Sequence, residues 1–461
     1  MTNPAPSEKS AYDLDGSIEA DVHEALAADD SARLKELFQP LHHADAAGLL
    51  ERLSPDERGA VIGALRDVFN PEILSELDDA VLDEVFDALG PEDMAAAVSE
   101  LESDDAVEVV EDLDEEDRQQ VLDAIPPVER SRIEEGLAYP EDSAGRLMQR
   151  EVVCAPVHWT VGETIDFLRK SADAGDDSLP EVFYNIFVVD PAHRPLGALT
   201  LSRLLRSKRK AKVADLMIAE IKTVPADMDQ EEVAFLFRQR DLVSAAVVDE
   251  AGRLIGAVTV DDVVDVIDEE HEEDIMLLGG VREDDLYEAA LTTTRSRFAW
   301  LLVNLLTAIL ASVVIGMFEG TISQMVALAV LMPIVASMGG NAGTQTMTVA
   351  VRALAMKELT TTNAMRIIGK ELMVGAANGI MFAVLTGVVA WLWFDSPALG
   401  AVIAMAMTVN MIVAGLAGTT IPLMLERNGV DPAVASSVIL TTITDVVGFA
   451  VFLGLAAWLL L

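Results

Sequence analysis

Asp445 is the residue of this 461-residue chain best placed to do chemistry on an ion, because it stands inside an apolar run, Thr441-Thr442-Ile443-Thr444-Asp445-Val446-Val447-Gly448. A carboxylate at the centre of a membrane costs roughly 2.5–3.5 kcal/mol on insertion scales, so such residues face cavities and serve ions or protons. Thr441 lies four residues earlier on the same helical face and adds a hydroxyl. A second patch, Pro333 to Gln345, reads Pro-Ile-Val-Ala-Ser-Met-Gly-Gly-Asn-Ala-Gly-Thr-Gln. Its glycines suit a bend or unwound turn with free carbonyls, or close packing of helices. Asn341 and Gln345, four apart, are spaced to line one passage. No His or Cys occurs in these apolar runs. Oxygen ligands alone suit hard cations such as Mg²⁺, Ca²⁺ or Mn²⁺. Mg²⁺ sheds its waters reluctantly, so one carboxylate plus neutral oxygens suits a hydrated ion, and two copies of Asp445 about a shared axis would make a wide anionic pore.

A third stretch, Asp261 to Asp274, carries nine acids and one His. Helical spacing puts Asp262, Asp265, Glu269 and Glu273 near one face, where like charges repel unless cations screen them. A solvated acidic helix is the plain alternative. His271-Glu272 does not open an HExxH zinc motif, since position 275 is Ile.

These residues must be positioned by two different kinds of chain. Phe298 to Leu461 holds seven acids and five bases; residues 1–297 hold 70 acids and 27 bases. The net charge of −45 excludes nucleic acid as a partner, and the single Cys154 excludes an internal disulfide. Five apolar runs, at about 298–318, 322–354, 367–394, 399–425 and 433–461, are near or beyond the ~20 residues that cross a bilayer. Arg295, Arg297, Arg352, Lys357, Arg366, Lys370 and Arg427 all fall on one side of these runs. The positive-inside rule then makes the N-terminal head cytoplasmic and the C-terminus external, in a multi-pass protein of the cell membrane.

Within the head, Arg146-Leu147-Met148 matches Asp215-Leu216-Met217. Val188-Val189-Asp190 with Leu196-Gly197-Ala198-Leu199-Thr200 matches Val247-Val248-Asp249 with Ile255-Gly256-Ala257-Val258-Thr259. The first copy is longer, with the extra residues assigned to Gly175-Asp176-Asp177-Ser178. Each copy reads as strand, helix, strand, turn, strand, helix. Before them, leucine-rich helices are punctuated at Leu53-Ser54-Pro55, Leu89-Gly90-Pro91 and Ile125-Pro126-Pro127. Acids follow the first two breaks, the pattern of short stacked helices with acidic first turns. The expected order is a disordered tail (1–16), an acidic helical N domain (17–138), two α/β units (139–212 and 213–267), an acidic linker helix (268–297) and a five-helix membrane domain (298–461).

The repeat resembles a CBS-domain pair, and with the other features the whole chain resembles the MgtE Mg²⁺ channels. The resemblance rests on the order of an acidic helical domain, the CBS pair, an acidic linker, five spans, Gly-Gly-Asn-x-Gly-x-Gln and Thr-Asp-x-x-Gly. It implies a homodimeric channel, no enzyme, that moves hydrated Mg²⁺ down its gradient and closes when cytosolic Mg²⁺ is high. Asp445 would be the pore carboxylate, with Asn341 and Thr441 beside it. Asp262, Asp265, Glu270, Glu273 and Asp274 would bind sensing Mg²⁺ where the CBS domain, the linker ("plug") helix and the N domain meet, with Asp104 and Asp105 on the N-domain side. A CBS pair also implies an adenine nucleotide as a candidate ligand, although Arg203 stands where the first copy of such a pair often has the ribose-binding Asp.

Two other readings of the residues remain at this stage: a proton- or Na⁺-coupled carrier, and a membrane-anchored CBS sensor that transports nothing. An ATP-driven pump lacks its phosphate-binding loop. The acid-rich, Lys-poor composition also fits a salty solvent, so composition assigns no single carboxylate to sensing.

Overall fold

The computed structural model describes residues 16–174, 179–180, 182–281, 290–360 and 362–460. The expected tail up to Asp15, the extra residues Gly175–Ser178 and part of the acidic linker, 282–289, lie outside the described residues. The chain divides into two compact units, Met1–Glu270 and His271–Leu461.

The first unit begins with a helical array: α1 (Gly16–Ala27), α2 (Ser31–Phe38), α3 (His43–Glu51), α4 (Pro55–Leu65), α5 (Asp79–Leu89), α6 (Pro91–Val98), α7 (Ser103–Asp112), α8 (Glu115–Ala124) and α9 (Pro127–Leu137). A 3₁₀ turn, Pro71–Glu76, separates α4 from α5. Helices start at Pro55, Pro91 and Pro127, where proline's fixed φ suits the first helical position and its missing N–H leaves no bond unmade. Ser54 and Glu57 close a reciprocal capping box on α4. Helices pack on partners near them in sequence, around one continuous aliphatic core that includes Leu50, Ile62, Leu82, Met94 and Val110.

Two small α/β halves follow. The first holds β1 (Cys154–Pro156), α10 (Val161–Ala174), β2 (Asn185–Val189), β3 (Pro195–Thr200) and α11 (Leu201–Leu205). The second holds α12 (Val213–Leu216), β4 (Thr223–Pro225), α13 (Gln230–Arg240), β5 (Ser244–Val248), β6 (Leu254–Thr259) and the start of α14 (Val260–Gly279). The two sheets share one topology, a parallel pair followed by an antiparallel pair, with a register shift at Val188/Val189 and again at Val247/Val248.

The packing units are not the sequence repeats. The segment before β1 packs on the second half: Ala144 and Gly145 N–H donate to Met228 and Ala226 O (2.7 and 2.8 Å), and Gln149 bridges Ala257. The segment before β4 packs on the first half, where Ile218 bridges Ala198. Gly197 and Gly256 make this exchange fit. A methyl group on Gly197 would meet Ile218 O at 2.6 Å, and one on Gly256 would meet Met148 Sδ at 2.7 Å.

The second unit contains the end of α14, then α15 (Ala290–Gly316), α16 (Glu319–Gln324), α17 (Ala327–Ala355), α18 (Ala364–Phe394), α19 (Pro397–Arg427) and α20 (Pro432–Leu459). Among the described residues, five helices are long and apolar enough to cross a membrane. Helix α19 is central, touching α17, α18 and α20. Helices α15 and α18 leave Leu305, Leu306, Leu385 and Leu392 exposed, as a lipid-facing surface requires.

Helix α14 runs unbroken from Val260, so the acids of the expected linker continue the last helix of the second α/β half, and α15 already begins at Ala290. One expectation is corrected here. The glycine patch does not break or unwind the helix. Helix α17 is continuous through Gly339–Gly343, where Gly339 receives Asn410 and Gly343 receives Leu440, while Gly340 opens onto the groove described below.

Candidate ion groove and acidic helix face

In the second unit, α17 and α20 together line a groove of about 480 Å³ made by Pro333, Ala336, Ser337, Gly340, Asn341, Thr344, Thr441 and Asp445. The first six recur every three or four residues, one stripe of α17; Thr441 and Asp445 form the matching stripe of α20. Asp445 is the single charged side chain in this lining. Thr441 donates its hydroxyl to Ser437 O (3.0 Å), which leaves the oxygen's lone pairs free to accept from water in the groove. Asn341 turns its amide nitrogen to Ser337 Oγ (3.4 Å), leaving the amide oxygen as a further acceptor. The groove therefore offers one carboxylate and a row of neutral acceptors, which suit an aqueous cation. Gln345 is exposed and takes no part in the lining; helical geometry gives that place to Thr344.

Behind the groove sits a residue the sequence reading overlooked. Asn410 of α19 is fully buried and donates Nδ2 to Val335 O of α17 (2.9 Å). It fills the notch of Gly339 and lies so close to α20 that a methyl on Gly448 would meet Nδ2 at 2.8 Å. Asn410 thus spaces the two groove-lining helices at the depth of Asp445. A lone Asn in an apolar run was its only signal.

The acidic residues gather elsewhere. In the first unit, α7 presents Asp104, Asp105, Glu108 and Asp112 toward Asp262, Asp265 and Glu269 of α14. Asp104 Oδ1 is buried and receives no hydrogen bond. Burial, then the charges of Asp262, Asp105 and Glu102, pushes the Asp104 carboxyl well above the usual range. Burial and Asp262 raise Asp105 to about 7; burial and Asp79 raise Asp112 to about 8; burial and Glu76 raise Asp265 to about 6. Glu108, although its side chain reaches solvent, is raised too, by desolvation of its carboxyl and then by Asp112 and Asp105. Asp262 is raised by burial despite accepting from Thr259 Oγ1 (2.7 Å). Glu270 accepts from Gln230 Nε2 (3.1 Å), outside this ring.

Glu273 and Asp274 lie on the last turns of α14, in the second unit. Asp274 is raised by burial and by Asp431, the residue that caps α20 through Ala433 N–H (2.7 Å). Leu277 and Leu278 pack with Met347, Val351 and Ala433, so the end of α14 is seated on α17 and α20. Asp431, Glu108, Asp112 and Glu269 belong with the predicted acids by geometry; Glu108 and Asp112 were legible only as helical repeats of Asp104 and Asp105. Among the described residues, no three Asp, Glu, His or Cys side chains converge as a preformed metal cage. A divalent ion between α7 and α14 would be held through its waters or by small side-chain movements.

Comparison with known proteins agrees with this layout. A profile for the MgtE divalent cation transporters matches residues 332–455, one for the MgtE intracellular N domain matches 41–142, and one for the CBS domain matches 144–210 and 213–269. The chain is 34% identical over 454 residues to the magnesium transporter MgtE of Thermus thermophilus, covering 97% of this chain and 99% of that protein. The chain belongs to the MgtE family. The MgtE of Bacillus subtilis is 32% identical over 329 residues, 71% of this chain and 72% of that protein. A solved cytosolic domain of the Mg²⁺ channel MgtE, in complex with ATP, covers 54% of this chain and 99% of its own, at 34% identity and a TM-score of 0.49. The five apolar helices, the CBS pair and the helical N domain are the architecture of this family of magnesium transporters.

The acid that a CBS pair often uses for ribose is missing from the first half of this pair and kept in the second. Arg203 holds the position in the first half and is exposed; in the second half Asp262 is drawn into the α7 acids and bonded to Thr259.

Proposed function

We propose that the chain is a homodimeric Mg²⁺ channel of the cell membrane, with its acidic head in the cytoplasm and its C-terminus outside. Hydrated Mg²⁺ passes down its gradient beside Asp445, Asn341 and Thr441. The observation that carries this reading is the groove itself: one carboxylate among neutral oxygens, flanked by helices apolar enough for a bilayer. A carboxylate in such a place attracts a cation without stripping its inner waters. The side of the membrane follows from Arg352, Lys357, Arg366, Lys370 and Arg427.

Closure is assigned to the acids. When ionised, the facing carboxylates of α7 and α14 repel, and Mg²⁺ binding among Asp104, Asp105, Asp262 and Asp265 displaces the remaining protons and replaces repulsion by bridging. Glu270, Glu273 and Asp274 extend this sensor along α14. Bound ions favour the compact head and so bias the pore shut; removing them frees the head to loosen.

Proteoliposomes loaded with a Mg²⁺ dye test the reading. Asp445→Ala is expected to abolish flux while leaving size-exclusion behaviour intact, and near-normal flux removes the groove assignment. Uptake that needs a proton or Na⁺ gradient would show a coupled carrier instead.

A further inference from the structure

Between Asp190 and Asp215 the chain has no acid and seven bases, in a head where acids outnumber bases 70 to 27. Six of the seven, Arg203, Arg206, Lys208, Arg209, Lys210 and Lys212, fall within ten residues and are all exposed. Three of the nine lysines of the whole chain are among them. Arg209 is committed: its guanidinium pairs with Asp166 (2.6 Å) and bonds Gly162 O (3.2 Å). Among the described residues the other five form no ion pair, although carboxylates are abundant.

The segment is a fixed strap. Gly162 N–H donates to Arg209 O (2.8 Å), Val161 N–H to Ala211 O (2.9 Å) and Val213 N–H to Trp159 O (2.9 Å). These bonds tie the strap across the N-terminal end of α10 and hold its bases facing solvent. Leu205, 67% exposed, stands among them as a large apolar side chain. Crowding like charges in one rigid surface is unfavourable unless an anion answers them. A row of ammonium and guanidinium groups around one apolar side chain matches a phosphate-bearing surface with hydrocarbon beneath it.

We propose that Arg203, Arg206, Lys208, Lys210 and Lys212 form a docking surface for the headgroups of anionic phospholipids. The proposal rests on the head lying on the membrane side that carries anionic lipid. Each base near such a leaflet adds attraction that salt weakens. Contact would hold the first α/β half against the bilayer and leave the acidic faces elsewhere free to respond to divalent ions.

The full chain in nanodiscs tests this by acetylation of lysines read by mass spectrometry. Discs of phosphatidylcholine are compared with discs containing about 30% phosphatidylglycerol. Lys208, Lys210 and Lys212 are expected to react about fivefold more slowly with phosphatidylglycerol present, while the exposed Lys222 is unchanged. High salt, about 1 M, should erase the difference. Arg203→Glu with Arg206→Glu should also erase it, leaving the three lysines as reporters. Equal rates in both discs overturn the proposal, as does equal slowing by inorganic pyrophosphate in phosphatidylcholine discs, which would mark a soluble phosphate site. Nanodiscs expose both leaflets, so an error in the assigned topology would leave the protection intact, whereas an error about the strap would abolish it.

Discussion

Asp104 of α7 lies against Asp262 of α14, and the leading charges acting on Asp104 are all carboxylates: Asp262, Asp105 and Glu102. With Asp104 Oδ1 buried and without a hydrogen bond, the contact is repulsive when both groups are ionised. It becomes favourable only when a proton or a cation enters.

Replacing one partner should therefore stabilise the metal-free head. Asp104→Asn is expected to raise its unfolding free energy in EDTA by about 1–3 kcal/mol, because a buried, repelled charge is removed. The same variant should gain less from added Mg²⁺ than the unaltered chain. Thermal unfolding with and without Mg²⁺ measures both, and a lower midpoint in EDTA would count against the repulsive contact.

The acids also set a pH dependence with a definite sign. Asp265, Asp105 and Asp112 have folded-state values near 6, 7 and 8, above the ordinary carboxylate range. A raised carboxyl pKa means that the folded head binds more protons than the unfolded chain across that window, so stability falls as pH rises from about 4 to about 8. In EDTA the head should unfold at a lower temperature at pH 8 than at pH 6. Mg²⁺ should restore more at pH 8, and its apparent affinity should weaken about tenfold per proton displaced per pH unit below the window. A flat profile in EDTA would contradict the crowding.

Neutralising Asp262, Asp265 and Glu273 together should weaken closure, so that flux persists at Mg²⁺ concentrations that shut the unaltered protein. Unchanged inhibition would assign these acids to solubility in salt, as the Lys-poor composition also permits.

Thr441→Val keeps the shape of the groove and removes an acceptor for the ion's waters. Loss of one such hydrogen bond, about 1 kcal/mol, should reduce Mg²⁺ flux roughly fivefold with the protein intact. Flux equal to that of the unaltered chain would place the ion's path away from Thr441.

Asn410 should matter through spacing. Gly448→Ala puts a methyl 2.8 Å from its Nδ2 and should cost about 1–3 kcal/mol, seen as a lower unfolding midpoint in detergent. Asn410→Ser in the Gly448→Ala background should recover part of the loss, since the smaller side chain leaves room. No recovery would mean that the clash lies elsewhere.

Much of this protein was legible in its sequence because the signals are local. An uninterrupted apolar run has one stable environment, proline marks where a helix begins, and a carboxylate in hydrocarbon must find water or an ion. Those facts gave the five spans, the helix starts at Pro55, Pro91 and Pro127, and the pairing of Thr441 with Asp445 on one face. What joins distant residues was not legible. A glycine reads alike whether it unwinds or receives a neighbour, and only packing showed Gly339 closed by Asn410 in an unbroken helix. The exchange of segments between the two α/β halves depends on contacts between residues far apart in the chain, such as Gly145 with Ala226. An acidic run likewise reads as solvated until a second acidic helix is laid against it. Charge is a property of the residue, whereas repulsion is a property of the distance, and that distance is set by the fold.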